Sequence, residues 1–367
     1  MVQYASALAT ANIFEDLIQN CVSDLGDVSS HTMGFVYVTT ALTYRFEQVV
    51  GELRQRTGIE NWFGTCGEGV CGREGEIFGS SAISVLTCDI PEHELEIVGN
   101  QQRYKSPSSI TDSQFLPAIG VVHGNPRETE TLDAIRSLAN DHNTFLVGGL
   151  TAGQDQFPQA AIDIQEEGVS GLILGAGCNP VAGVTQGCSP IGPFHEVTSG
   201  DEHYIHSLDE IPAYEILCQD LGVNDGTDPL PWLNNVHAAK EVSGSDKREY
   251  VVRNLVALDP SNGTVAVGDN IRKGDRWAFV RRDREAAEKD FNRMLEELKT
   301  RCSRPVKAGL YYSCIARGPN LFSKPSYEID SIKQVFGEFP LTGFFGNGEI
   351  FNNRVYGYTG VLVLFMS

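Results

Sequence analysis

An apolar run, an amphipathic stretch, a second apolar run entering a G-x-x-x-x-G segment and a third apolar run follow one another in the same order three times along the chain. In the first copy Gly34-Phe-Val-Tyr-Val-Thr39 reads as a strand. Phe46, Val49, Val50 and Leu53 then give a helix one apolar face, and Gly58 is placed to end it. Trp62-Phe63 enters Gly64-Thr-Cys-Gly-Glu-Gly69, and Ala82 to Cys88 closes the unit. The second copy runs from Ala118 to His123, through a helix burying Leu132, Ile135 and Leu138, then Phe145-Leu-Val147 into Gly148-Gly-Leu-Thr-Ala-Gly153, and closes over Val169 to Leu174. The third has Gly309 to Cys314, a helix with Ile329, Ile332 and Phe336 inward, Gly343-Phe-Phe-Gly-Asn-Gly348 and a closing strand from Gly357 to Phe365.

A strand and helix precede each outer copy, as Gln3 to Leu8 with Asn12 to Leu25 and as Trp277 to Arg281 with Asp283 to Leu298. Asn12 and Glu15 have capping-box spacing, and Gly26 stops the first helix. Residues 178–276 depart from the repeat: short strands around Val184 and Val197, a helix near Ala213 to Leu221, a hairpin about Ser261-Asn-Gly263 and a long polar loop from Gly222 to Asn235. A strand-helix-strand crossover makes two strands parallel, while the short link to the closing strand favours an antiparallel neighbour. The expected fold class is therefore α/β in the mixed α+β sense, with tandem β-α-β-β repeats forming mixed sheets packed face to face and helices outside.

The 28 Lys and Arg against 48 Asp and Glu leave −20, a field that repels nucleic acid and anionic lipid, so neither nucleic acid nor membrane is an expected partner. No Lys or Arg precedes Arg45, so no leader peptide is expected. The uncharged stretch from Gly168 to Val184 holds five glycines and falls short of a span. Nine cysteines without paired spacing fit reduced thiols, which points to the cytoplasm.

Ligands collect beyond the carboxyl ends of parallel strands. Five residues on from Gly34, Ala118 and Gly309 lie Thr39, His123 and Cys314. With Thr65, Cys66, Glu68, Thr151, Asn347 and Glu349 they are expected at one rim of each unit, the alternative being that they only cap turns. No glycine segment ends in Gly-Lys-Ser/Thr, which argues against a nucleotide loop. Cys66, Cys71, Cys88 and His93 are weak metal candidates, since buried cysteines are commoner than ligands at such spacing. In Cys314-Ile-Ala-Arg-Gly318 the arginine either activates the thiol or grips a carboxylate.

The run Cys314-Ile-Ala-Arg-Gly318, then Pro340-Leu-Thr-Gly-Phe-Phe-Gly-Asn-Gly-Glu-Ile350 and Tyr358-Thr-Gly-Val-Leu-Val-Leu364, resembles the FIST C-terminal domain, as does Thr185 to Thr198. Gly34 to Thr40, the Gly64 segment and Gly148 to Gly153 resemble the FIST N-terminal domain. The resemblance implies a FIST N-terminal-like domain over 1–177 and a FIST C-terminal-like domain over 178–367. It also implies a sensory module of signal transduction that binds small molecules such as amino acids. Some members are haem proteins that respond to nitric oxide and signal to histidine kinases.

The leading expectation is a small-molecule-binding sensor acting through a separate partner, its ligand held by the rim residues together with Arg317 and the loops at Gln186 and Cys188. With no strong catalytic constellation, an enzyme is not the expected reading. A haem-based nitric oxide sensor would take His123 or His195 as axial ligand, although no cofactor is required by the sequence. A cysteine-dependent hydrolase or transferase would use Cys314 or Cys66. On the leading reading, Arg317→Ala would abolish the ligand response and leave the unliganded fold almost unchanged.

Overall fold

The computed structural model describes residues 2–99, 115–223, 233, 235–242 and 250–366. Period-2 alternation in the predicted strands decides what each face meets. Phe35 and Tyr37 turn into a central core, and Val36 and Val38 turn to the core under the helices Phe14–Leu25 and Phe46–Thr57. Leu310 and Tyr312 do the same in the third copy, with Tyr311 facing the helical side. Residues 1–185 and 291–367 form one compact unit and residues 186–290 another.

In the first unit three six-stranded sheets share one strand order among the described residues. Each runs from an edge strand through the closing strand and the two parallel strands to a hairpin supplied by another copy. The parallel pairs are Met33–Thr39 with Asn61–Gly67, Pro117–Gly124 with Leu146–Leu150, and Ala308–Cys314 with Leu341–Gly346.

The hairpins pass round in a ring. Gly69–Gly72 from the first copy pairs with Leu341–Gly346 of the third, Glu349–Phe351 from the third pairs with Leu146–Leu150 of the second, and Gln159–Ala161 from the second pairs with Asn61–Gly67 of the first. Backbone bonds close the same ring: Glu68 N–H donates to the Phe345 carbonyl at 2.8 Å, Ala152 to Cys66 at 2.8 Å and Asn347 to Leu150 at 3.2 Å.

The first glycine of each G-x-x-x-x-G segment lies inside a strand and not in a turn. Gly64, Gly148 and Gly343 sit opposite Val36, Val122 and Tyr311. A Cβ there would come within 1.7, 1.8 and 1.7 Å of those residues' carbonyl oxygens, so only glycine fits. These equivalences bear out the shared β-α-β-β framework, and the three bare sheet faces meet in one core with the helices outside.

Three local expectations change. The strand equivalent to Tyr4–Thr10 in the third copy is Pro180–Gln186, whereas Arg276–Arg282 belongs to the second unit's sheet. Residues 186–290 are therefore inserted between the edge strand and the body of the helix Arg284–Arg301, whose first residues belong to the second unit. The capping box of Asn12 and Glu15 does not form, because the N-cap is Ile13 and makes no side-chain cap bond. Leu132 is 39% exposed, and Thr131, Ile135 and Ala139 form the buried face of its helix.

Among the described residues the second unit is a nine-stranded sheet whose core holds Val197, Ile205, Leu217, Trp277 and Phe279, with the helix Ala213–Leu221 packed on it. The expected hairpin joins Leu255–Asp259 to Thr264–Val267, with Gly263 at φ 69°. Most of the expected loop from Gly222 to Asn235 lies outside the described residues. Among the described residues no helix is long and apolar enough to cross a membrane.

Candidate functional site

The strand register corrects the place of His123. Its equivalents are Tyr37 and Tyr312, and the counterpart of Thr39 and Cys314 in the second copy is Asn125, because Gly120 and not Ala118 is the residue equivalent to Gly34 and Gly309. The three side chains meet in the central core and not at a rim. Tyr37 and Tyr312 hydroxyls are 2.8 Å apart, and His123 Nε2 lies 3.2 Å from the Tyr37 hydroxyl. Phe344 stacks on Tyr37 at 4.9 Å. Burial pushes His123 down to about 3, so its ring is neutral.

Cys314, Arg317 and Glu349 do come together, beyond the end of Ala308–Cys314. Arg317 has no solvent exposure and lies between the rings of Phe291 and Phe322, 5.9 and 5.3 Å from their centroids. Its ionic partner is Glu328, not Glu349. Nε and Nη2 donate to Glu328 Oε1 at 2.9 and 2.7 Å. Tyr311 donates to the same oxygen at 2.5 Å, and Ser313 and the Gly318 N–H reach Oε2 at 3.3 Å each. Glu328 opens the helix Tyr327–Phe336, so one carboxylate ties that helix to the sheet.

Glu349 Oε2 accepts from the Thr359 hydroxyl at 2.6 Å and the Thr359 N–H at 3.2 Å. Its other oxygen, Arg317 Nη1 and Glu76 Oε1 are buried without a partner. Burial pushes Glu349 up to about 8 and, with Glu328 adding, Glu76 to about 8. Cys314 is held protonated by burial first and by Glu349 second, against backbone N–H groups of Ala316 and Tyr358 and the Arg317 charge. The cluster thus holds one guanidinium and one paired carboxylate, with two further acids favoured in their neutral form. Sequence reasoning missed Glu76, Glu328 and Thr359. Glu76 comes from the hairpin that the first copy lends to the third sheet, a pairing that no local pattern announces.

The other expected rim residues serve the interlocked turns. Thr65 and Thr151 hydroxyls are 2.7 Å apart, and Asn347 Nδ2 donates to the Thr151 carbonyl at 3.2 Å. Thr39 Oγ1 donates to the Ser80 carbonyl and accepts from Ala82 N–H, while Glu68 is exposed and accepts from Thr40 at 3.4 Å. Burial pushes the Cys66 thiol up to about 12. All nine cysteines are thiols, and Cys66, Cys71 and Cys88 lie in three different core clusters. Gln186 and Cys188 belong to the second unit, where Gln186 Nε2 donates to the Tyr250 carbonyl at 3.1 Å and the Cys188 carbonyl accepts from the Tyr250 hydroxyl at 2.6 Å.

Neither haem candidate fits as the axial ligand of a haem in this arrangement. His123 is enclosed by Tyr37, Tyr312 and Phe344 with ring centroids 5.5, 6.3 and 5.9 Å away, so a porphyrin would displace the central core. His195 turns Nδ1 to Asp209 at 2.7 Å and Nε2 towards Asp220 at 3.5 Å. Both ring nitrogens face carboxylates.

An uncharacterised protein of Mycobacterium tuberculosis is 27% identical to this chain over 236 residues, and one of Mycobacterium bovis is 27% identical over 238, each covering 61% of this chain and 61% of the relative. The chain thus matches about three-fifths of the length of these curated relatives. Residues 32–211 match the FIST N domain and residues 209–352 the FIST C domain. Together the matches run from the first copy to the hairpin strand Glu349–Phe351 of the third and take in Arg317, Glu328, Glu349 and the inserted unit, and the chain belongs to the FIST family, whose domains are sensory and signal-transducing.

Proposed function

We propose that this protein is a cytoplasmic sensor that binds a small carboxylate-bearing molecule, an amino acid or a close relative, at the Arg317 cluster and signals through a separate partner such as a histidine kinase. The observation that carries the reading is the pair of buried atoms left over there: Arg317 Nη1, a donor, and Glu349 Oε1, an oxygen whose acid is neutral until a cation approaches. A ligand carboxylate would take the first, and a ligand ammonium would favour release of the Glu349 proton to water and then donate to the carboxylate oxygen left behind. Arg317 is 0% and Glu349 1% exposed, so binding must open the cluster. A carboxylate arriving at Arg317 also competes with Glu328, which would loosen the helix Tyr327–Phe336 and give the sensor its moving part.

A thermal-shift series of amino acids, with the matching amines and esters as controls, tests this. A ligand at a hundredfold its Kd stabilises by about 2.7 kcal/mol. Glu349→Gln, which keeps the shape and removes the ionisable acid, should fold and lose the response to zwitterions. If no compound shifts the transition, or if Glu349→Gln responds as the parent does, the site is assigned wrongly.

A further inference from the structure

The second unit holds a separate arrangement around His195. The imidazole stands between two carboxylates, with Asp209 Oδ2 2.7 Å from Nδ1 and Asp220 Oδ2 3.5 Å from Nε2. The outer contact is a hydrogen bond, and Asp209 is fixed in turn by the Glu196 N–H at 2.9 Å. On the inner side His195 Nε2 and Asp220 Oδ2 are both buried, and their only polar contact is the long 3.5 Å approach to each other, which lacks good hydrogen-bond geometry. Their side chains are 9% and 8% exposed.

Asp220 is badly placed for a bare carboxylate. It lies in the last turn of Ala213–Leu221, where no basic residue offsets the helix's negative end. Gly192 makes room for this aspartate: a Cβ there would lie 2.1 Å from Asp220 Cγ. The local structure therefore brings a carboxylate and an imidazole nitrogen face to face in a place that calls for positive charge.

We propose that His195 Nε2 and Asp220 Oδ2 are two ligands of a divalent cation of the zinc class, with Asp209 orienting the imidazole. Two donors each about 2.1 Å from a tetrahedral zinc stand roughly 3.4 Å apart, close to the 3.5 Å observed. Asp209 on Nδ1–H leaves the lone pair on Nε2, the carboxylate–histidine–metal arrangement that orients metal-bound imidazoles. Among the described residues no third His, Cys, Asp or Glu completes a cluster. The remaining positions fall to water or to a small chelating ligand, so the expected affinity is moderate. The competing arrangement is a doubly protonated His195 paired with both aspartates.

The test uses the full chain stripped with a chelator and titrated with cobalt(II), then zinc(II). Trp277, kept as the sole tryptophan by replacing Trp62 and Trp232 with phenylalanine, is the cross-strand neighbour of His195 and reports occupancy by quenching with cobalt. The parent should bind one equivalent more than His195→Gln or Asp220→Asn, with quenching of Trp277 that both variants lose. Asp209→Asn should keep that equivalent with affinity about 10–100-fold weaker. Unaltered Trp277 emission in the metal-free variants verifies their fold, and if Asp220→Asn does not fold, His195→Gln decides. Equal stoichiometry and quenching in parent and His195→Gln would overturn the site, as would a parent that binds neither cobalt nor zinc at neutral pH.

Discussion

Replacing Arg317 by methionine should destabilise the first unit by about 3–5 kcal/mol, because it leaves a buried carboxylate without its counter-charge. Glu328 receives five donors in the structure, and Arg317 supplies the two that carry a positive charge, at 2.9 and 2.7 Å. Both side chains have 0% exposure, so water cannot replace the lost contacts. This reverses the expectation that an Arg317 truncation would leave the unliganded fold almost unchanged. Glu328→Gln keeps the volume but strands the guanidinium, and should cost a similar amount. The double variant should cost less than the sum by roughly 2 kcal/mol, since neither charge is then left alone. Urea denaturation in a background with Trp62 as sole tryptophan follows the first unit, where that ring is fully buried. A loss below about 1 kcal/mol for Arg317→Met, the value of an exposed ion pair, would show that the two side chains do not form a buried clamp.

Alanine at Gly64, Gly148 or Gly343 should each prevent or severely impair folding of the first unit, as read by circular dichroism and urea midpoint, because each Cβ would fall within 1.8 Å or less of a strand carbonyl. Gly51, inside the helix Phe46–Thr57 with nothing within 4 Å of its Cβ position, should behave oppositely. Gly51→Ala is expected to raise stability by about 0.5–1 kcal/mol in the same assay. Glu76 and Glu349 titrate near 8 in the fold against an ordinary 4.5, so the native state holds protons that the unfolded chain has released. Their contribution is complete below the unfolded value and is lost as pH rises to about 8. Urea midpoints of the first unit should therefore fall across that range, and the fall should be smaller in Glu349→Gln; equal slopes would show that Glu349 does not take up a proton on folding.

The repeat is legible in the sequence because it is written in local terms. Strand alternation, helical faces at Phe46 to Leu53 and the spacing of Gly64, Gly148 and Gly343 each need only neighbouring residues, and all reappear in the fold. The exchange of hairpins is not legible, because the partner of Gly69–Gly72 is the distant strand Leu341–Gly346 and pairing across copies has no local sequence mark. The same blindness hides Glu76 from the site. Arg317 and Glu349 are found because both follow strand ends, yet the Arg317 partner escapes: Glu328 lies on the helix that the crossover folds back over the sheet. His123 is misplaced by a two-residue register error, which a short apolar run does not prevent when its first residue is taken as the strand start.

The threefold pattern also shows which charges the fold does not require. Opposite Thr65, Gly149 and Phe344, the borrowed hairpins place Gln159, Glu349 and Val70 at one equivalent position. Gln159 is satisfied at both ends of its amide, by Ser170 at 3.0 Å and the Gly168 carbonyl at 3.3 Å. Val70 needs no partner and lies in the central core. The framework thus accepts an amide or a hydrocarbon where the third copy has an acid with one oxygen unmatched. A buried acid that the architecture can do without, beside a buried guanidinium with an unmatched donor, weakens the fold at that point. The ligand proposed above would supply the missing contacts and offset that cost, and because the two equivalent positions lack an unmatched acid, the proposal places it at the third copy and not at them.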